Sequence, residues 1–238
     1  MIRLLVADDQ QLFRTGLIRV FNDVPNVSIV GEVATGEDAV ASARSLKPDI
    51  VLMEVLLGGM GGLEATQRIV RFEQAPRVIA LTHCVNAPYP AQMLKAGARG
   101  YLSKNVNQAE LMLAIRRVFG GQRYVCHDVA QELASYAYEM HIDSPFDALS
   151  NREMQIMTMV VNCQKVSDIS IHLHLSPKTV NSYRYRIFEK LKISSDVELA
   201  LLAVRHGMVP GCGVPMQATQ HPLAEEGIAT YDTRRKAV

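Results

Sequence analysis

The chain has 238 residues, 48% of them hydrophobic and 21% charged, with a net charge of +1 and a mean hydropathy of +0.06. That length exceeds what one small domain needs and falls short of three, and the composition excludes fibrous and largely disordered chains. No apolar stretch approaches the roughly 20 residues of a membrane span and no cleavable signal pattern is present, so a cytoplasmic protein with no membrane partner is expected.

In chain order, short β-rich runs at 2–7, 27–33, 50–54, 77–82 and 100–103 alternate with segments of helical spacing. Leu12, Leu17 and Phe21 mark one such segment, Ala39, Val40, Ala43 and Leu46 a second, and Leu111, Ile115 and Val118 a third. Five βα repeats predict an α/β unit, a parallel sheet of (βα)5 flavodoxin-like order over residues 1–120 with helices on both faces. In such a sheet, ligands gather beyond the carboxyl ends of the strands, where strand order reverses. Asp8 and Asp9 follow the first run, Glu54 ends the third, Thr82 ends the fourth and Lys104 follows the fifth. Each has a bland reading alone, since acidic pairs and threonines cap helices and turns. Five of them on one rim point to a phosphoryl pocket.

A phosphoryl group in transfer carries heavy negative charge and calls for a divalent cation, a fixed cation and a hydroxyl donor. Asp8 and Asp9, with Glu54, are the expected Mg²⁺ ligands. Lys104 is expected to pair with one phosphoryl oxygen and Thr82 to donate to another, with Tyr101 able to turn inward beside them.

Residues 121–147 change character. Gly120-Gly121 ends the first unit, an acidic helical stretch runs from Asp128 to Met140, and Asp143-Ser144-Pro145 breaks it. A connector with one helix is expected. Residues 148–208 carry 8 Lys/Arg against 5 Asp/Glu and are predicted to be all helical. Ser150-Asn151-Arg152-Glu153 is a capping box, and Ser176-Pro177 places an N-cap before a proline at the first helical position. A tight turn separates the segment 166–173 from the helix after Pro177, and a third segment runs from Asp196 to His206, a helix-turn-helix layout. At about 100° per residue, Val180, Tyr183, Ile187 and Leu191 share an apolar arc. Lys178, Asn181, Ser182 and Tyr185 share the opposite arc, flanked by Arg184 and Arg186, as a helix in a DNA major groove requires. An ordinary amphipathic surface helix has the same outline when taken alone.

With the run Gly97-Ala98-Arg99-Gly100-Tyr101-Leu102-Ser103-Lys104, the rim residues resemble the response-regulator receiver family across residues 1–120. The resemblance implies that position 54 is the phosphoacceptor, served by a histidine kinase. Relatives usually carry aspartate there, a polar residue such as asparagine in place of Leu56, and proline in place of Gly58. Three departures around one site read as natural drift rather than as a single engineered phosphomimic. Glu54 extends the carboxylate by about one C–C bond, roughly 1.5 Å, toward the place a phosphoryl group takes. Either Glu54 engages Thr82 and Lys104 itself, as a phosphate-independent or phosphomimetic state, or it is a metal ligand or inert substitute that leaves the receiver as a docking module.

Leu175-Ser176-Pro177-Lys178-Thr179-Val180-Asn181-Ser182-Tyr183-Arg184 and the capping box resemble the LuxR-type DNA-binding domain of NarL/FixJ response regulators. Ser182-Tyr183-Arg184-Tyr185-Arg186-Ile187-Phe188-Glu189-Lys190-Leu191 and Ser194-Ser195-Asp196-Val197-Glu198-Leu199 are similar to the GacA/UvrY branch. The resemblance implies a transcription regulator rather than an enzyme. Its partners would be a hybrid sensor histidine kinase and, as a homodimer, a two-fold related DNA site, with the last helix carrying part of the dimer contact. Lys178, Thr179, Asn181, Ser182 and Tyr185 are the implied DNA contacts, with Arg184 and Arg186 on phosphates.

Residues 209–238 extend past where that family normally stops and are expected to have little order, despite the basic run Arg234-Arg235-Lys236. Cys84, Cys126, Cys163 and Cys212 show no ligand-like spacing and are expected to be reduced thiols. A Mg²⁺-dependent phosphohydrolase also begins with aspartates after a first strand, but it has no use for a helix-turn-helix.

Overall fold

The computed structural model describes residues 1–22, 24–86, 88–139, 145–206 and 208. Six strands, β1 (Ile2–Ala7), β2 (Val27–Val33), β3 (Ile50–Met53), β4 (Arg77–Thr82), β5 (Gly100–Ser103) and β6 (Tyr124–Val125), form one parallel sheet in the order β2-β1-β3-β4-β5-β6. The middle strands are continuous apolar runs because helices cover both of their faces. Leu4 to Ala7 and Ile50 to Met53 are all at most 1% exposed. The covering helices are α1 (Gln11–Asn22), α2 (Gly36–Leu46), α3 (Gly62–Ile69), α4 (Tyr89–Lys95) and α5 (Gln108–Phe119).

Two features of this unit differ from the sequence expectation. Leu12, placed with the apolar residues of α1, is 85% exposed, whereas Leu17 and Phe21 are buried. Leu12 stands five residues from Leu17, a spacing that turns it away from the sheet-facing stripe. The sheet also continues past residue 120. Tyr124 and Val125, in the stretch read as connector, add the edge strand β6 beside Gly100 and Tyr101. After it, α6 (His127–Glu139) packs against β5 and α4. Met140, the expected end of that helix, lies outside the described residues, as does the break at Asp143 and Ser144.

The second unit begins with a 3₁₀ turn (Pro145–Ala148) and holds α7 (Asn151–Val161), α8 (Val166–His172), α9 (Pro177–Leu191) and α10 (Asp196–Arg205). The capping box is formed: Ser150 Oγ accepts from the Glu153 N–H at 3.3 Å, and the Ser150 N–H donates to Glu153 Oε2 at 2.8 Å. Ser176 caps α9 by accepting from the Thr179 N–H at 3.1 Å, with Pro177 at the first helical position. Val180, Ile187 and Leu191 face the core, joined by the half-buried Tyr183. The expected contents of 209–238, with Cys212, lie outside the described residues. Among the described residues, Cys84, Cys126 and Cys163 are free thiols, and no helix is long and apolar enough to cross a membrane.

Candidate functional site

Strand register assembles the rim. Ala7 pairs with Met53, and Met53 with Ala80, so Asp8 and Glu54 leave neighbouring strand ends side by side at the reversal of strand order. Thr82 pairs with Ser103, which brings Lys104 in from the other side. A close backbone approach locks the base of the site. A Cβ added at Gly62, the first residue of α3, would lie 1.9 Å from the Glu54 carbonyl oxygen.

The four side chains converge on one another. Lys104 Nζ lies 2.6 Å from Asp8 Oδ2 and 2.7 Å from Glu54 Oε2, and its side chain is fully buried. The hydroxyl of Thr82, itself fully buried, donates to Glu54 Oε1 at 2.5 Å, and the Leu56 N–H donates to the same oxygen at 3.1 Å. The Gln10 N–H donates to Asp8 Oδ1 at 2.9 Å. Burial opposes the Lys104 ammonium, yet the Glu54 and Asp8 carboxylates outweigh it and hold its pKa above the usual lysine value. Burial raises the Asp8 carboxyl, only partly offset by Lys104 and the Gln10 N–H.

Tyr101 sits behind this cluster, fully buried, its hydroxyl donating to the Cys84 carbonyl. The Cys84 N–H in turn donates to Thr82 Oγ1 at 3.1 Å, so Tyr101 reaches the pocket through one intervening residue. Burial pushes the Cys84 thiol up to about 12, which keeps it protonated at neutral pH. Asp9 stands apart from the other acids. Its carboxylate turns outward to His172 Nδ1, at 3.6 Å.

His172 belongs to the helical unit, and it is one of several groups there that meet the β3–α3 loop. The Gly59 N–H donates to the His172 carbonyl at 3.1 Å, and His172 Nε2 lies 3.3 Å from the Leu56 carbonyl. Gln155 Nε2 donates to the Leu57 carbonyl at 3.0 Å, while Arg152 donates to the Gly59 and Leu173 carbonyls. Gly59 has φ +69°, a backbone that glycine adopts at no steric cost. A second contact joins the Tyr89 hydroxyl of α4 to Thr158 Oγ1 of α7, both buried. The Arg152 guanidinium is lowered by its burial in this junction.

Arg152 falls inside the capping box, but the junction residues Gln155, Thr158 and His172, and Phe13, whose ring centre lies 4.4 Å from Lys104 Nζ, belong to no motif read from the sequence. A signal did exist in α7. Gln155 and Thr158 interrupt an apolar run at positions that are buried, and a buried amide or hydroxyl needs a partner.

On α9 the residues read as DNA contacts do not stand alike. Lys178, Ser182, Tyr185 and Arg186 are exposed, Tyr185 to 71%. Thr179 is half-buried and tied into the cap, its hydroxyl 2.8 Å from Ser176 Oγ. Arg184 pairs with Asp196 of α10 and donates to Asn181 Oδ1 at 2.8 Å, so both are engaged within the protein. Arg186 lies over the Tyr183 ring at 5.7 Å. The junction with the first unit uses α7 and the end of α8, leaving these four exposed side chains open.

Comparison with known proteins agrees with both halves. Residues 4–116 match the response regulator receiver domain, and residues 147–203 match the bacterial regulatory proteins of the luxR family. The response regulator GacA of Pseudomonas viridiflava is 55% identical over 210 residues, covering 88% of this chain and 98% of that protein. The response regulator UvrY of Escherichia coli K12 is 49% identical over 209 residues, covering 87% and 96%. A crystal structure of a LuxR-family two-component response regulator from Aurantimonas sp. SI85-9A1 superposes with a TM-score of 0.54 at 34% identity, covering 57% of this chain and 97% of that one.

Proposed function

Since the chain belongs to the LuxR family of DNA-binding two-component response regulators, we propose that its receiver is held in one signalling state by the Glu54 carboxylate, without a phosphoryl group. One observation carries this reading: a single carboxylate accepts from Thr82 and the Leu56 N–H and pairs with Lys104. Those are the donors and the cation that a phosphoryl group on a shorter aspartate would need. With Tyr101 packed inward behind Cys84, the hydroxyl and aromatic side chains already stand where a filled pocket would draw them.

Receiver domains generally bind Mg²⁺ in their acidic pocket. The donors here do not fit such an ion as they stand. Lys104 bridges Asp8 and Glu54, Asp9 faces His172, and among the described residues no group of three metal-ligating side chains converges.

Lys178, Ser182, Tyr185 and Arg186 would meet DNA directly, the charged members supplying salt-dependent phosphate contacts. Asn181 reads bases only by exchanging its bond with Arg184, which acts chiefly to hold α9 against α10 through Asp196. Binding as a homodimer to a two-fold related site follows from the family, as does a hybrid sensor histidine kinase as partner. Contact with that kinase would leave no phosphoryl group on Glu54.

A second reading, the receiver as a docking module that governs how the DNA-binding unit is presented, is favoured by the bonds that Gln155 and Arg152 donate to the loop that follows Glu54 and by the one that loop's Gly59 N–H donates to the His172 carbonyl. The two readings are compatible, because the Leu56 N–H links the Glu54 carboxylate to that same loop. Exposure to labelled acetyl phosphate tests the first. The unmodified chain should stay unlabelled while Glu54→Asp takes label, and stable label on the unmodified chain would refute the reading.

A further inference from the structure

Every oxygen of the two inner carboxylates already has a partner within the protein. Asp8 Oδ1 accepts from the Gln10 N–H, and Asp8 Oδ2 and Glu54 Oε2 share the Lys104 ammonium. Glu54 Oε1 accepts from Thr82 and from the Leu56 N–H. The third acid, Asp9, is turned toward His172 of the other unit. Lys104 is also held from below, with the face of the Phe13 ring 4.4 Å from its nitrogen, a distance at which a desolvated ammonium is attracted to the ring.

Mg²⁺ demands oxygen ligands at about 2.0–2.1 Å in near-octahedral order and gives up its water reluctantly. Entering this site would place a double positive charge beside a buried ammonium, in surroundings that screen charge poorly. We propose that Lys104 is the resident cation of this receiver, seated between Asp8 and Glu54 against the Phe13 ring, so that a divalent cation binds only by displacing it.

The assignment rests on Glu54 filling the pocket, and the length of that side chain is what makes it work. A carboxylate drawn back by about 1.5 Å would fall short of holding Thr82 and Lys104 together at their present distances. The freed oxygens and the loosened lysine would then leave room for a divalent ion. Phe13 is a positioning residue in this scheme, acting only through the lysine.

Calorimetric titration of the full chain with Mg²⁺ tests the assignment, comparing the unmodified protein with Lys104→Met, Glu54→Asp and Phe13→Leu. Lys104→Met and Glu54→Asp should each bind Mg²⁺ at least about tenfold more tightly than the unmodified chain, since removing or releasing the competing charge restores an uncompensated carboxylate site. Phe13→Leu should fall between them and the unmodified chain. If Lys104→Met does not fold, the other two variants carry the test, because both keep the ammonium and change only what holds it. Equal Mg²⁺ affinity in the unmodified chain and in every folded variant would overturn the assignment.

Labelled acetyl phosphate added to the same samples separates this inference from the reading beneath it. Label on the unmodified chain together with weak Mg²⁺ binding would remove the phosphate-independent reading and leave the Lys104 assignment in place. Tight Mg²⁺ binding with no label would do the reverse.

Discussion

Thr82→Val removes a hydroxyl while nearly preserving shape, at a fully buried position. The lost bond to Glu54 Oε1 is charge-assisted, and bonds of that kind contribute about 1.5–3 kcal/mol. The Cys84 N–H, which donates to the same hydroxyl at 3.1 Å, would be left without its acceptor at a further cost of about 1–3 kcal/mol. Glu54 Oε1 keeps the Leu56 N–H, so the two losses do not sum fully, and about 3 kcal/mol of net destabilisation is expected. For a chain of this size that lowers the unfolding midpoint by roughly 6–12 °C. Thr82→Ser keeps the hydroxyl and loses one buried methyl, which costs about 1 kcal/mol. Thermal unfolding followed by circular dichroism on both variants decides the matter. A Thr82→Val midpoint no lower than that of Thr82→Ser would mean that the hydroxyl makes no bond to the carboxylate, and the account of the pocket would fail with it.

Three other outcomes follow from the remaining geometry. Gln155→Leu deletes the donor to the Leu57 carbonyl and should loosen the junction by about 1–2 kcal/mol, speeding hydrogen exchange at the Gly59 N–H by roughly 5–30-fold. Unchanged exchange there would show that the units are not joined through this loop. Arg186→Ala should weaken binding to all DNA sequences about equally and reduce the slope of log affinity against log salt by about 1, read from mobility-shift titrations at several salt concentrations. Glu153 offers a test by pH. Burial opposes its charge, but bonds from Lys190 and Ser150 prevail and hold its pKa below the ordinary glutamate value. Its stabilising contribution is therefore present above the unfolded value and is lost as pH falls through the folded one. Acid unfolding of Glu153→Gln should show a shallower loss over that window than the unmodified protein.

The fold was legible in the sequence wherever burial on both faces of the sheet demanded unbroken apolar runs, as in Ile50 to Met53 and Val78 to Leu81. The strand β6 was not, because two residues are too few to carry a period. The rim was legible for another reason: strand ends in a parallel sheet fix where side chains emerge, so Asp8, Glu54, Thr82 and Lys104 needed no knowledge of the helices. Asp9 emerges one residue later, at a bend past the end of β1, and its carboxylate faces His172 instead of the cluster. The junction was hidden because half of it is backbone. The carbonyls of Leu56, Leu57 and Gly59 leave no mark in a sequence, and their partners Arg152, Gln155 and His172 lie about a hundred residues away along the chain. On α9 the helical wheel separated core from surface correctly at Val180 and Ile187. It could not register that Arg184 is drawn to Asp196 on the next helix.

The central claim, that Glu54 occupies the place of a phosphoryl group, meets its most direct test in DNA affinity measured with and without a phosphodonor. A mobility-shift titration of the unmodified chain and of Glu54→Asp on one promoter, each with and without acetyl phosphate, should give an affinity indifferent to the donor for the unmodified protein. Glu54→Asp should respond to it. An unmodified chain whose affinity moves with the donor, or a Glu54→Asp variant that ignores it, would contradict the account.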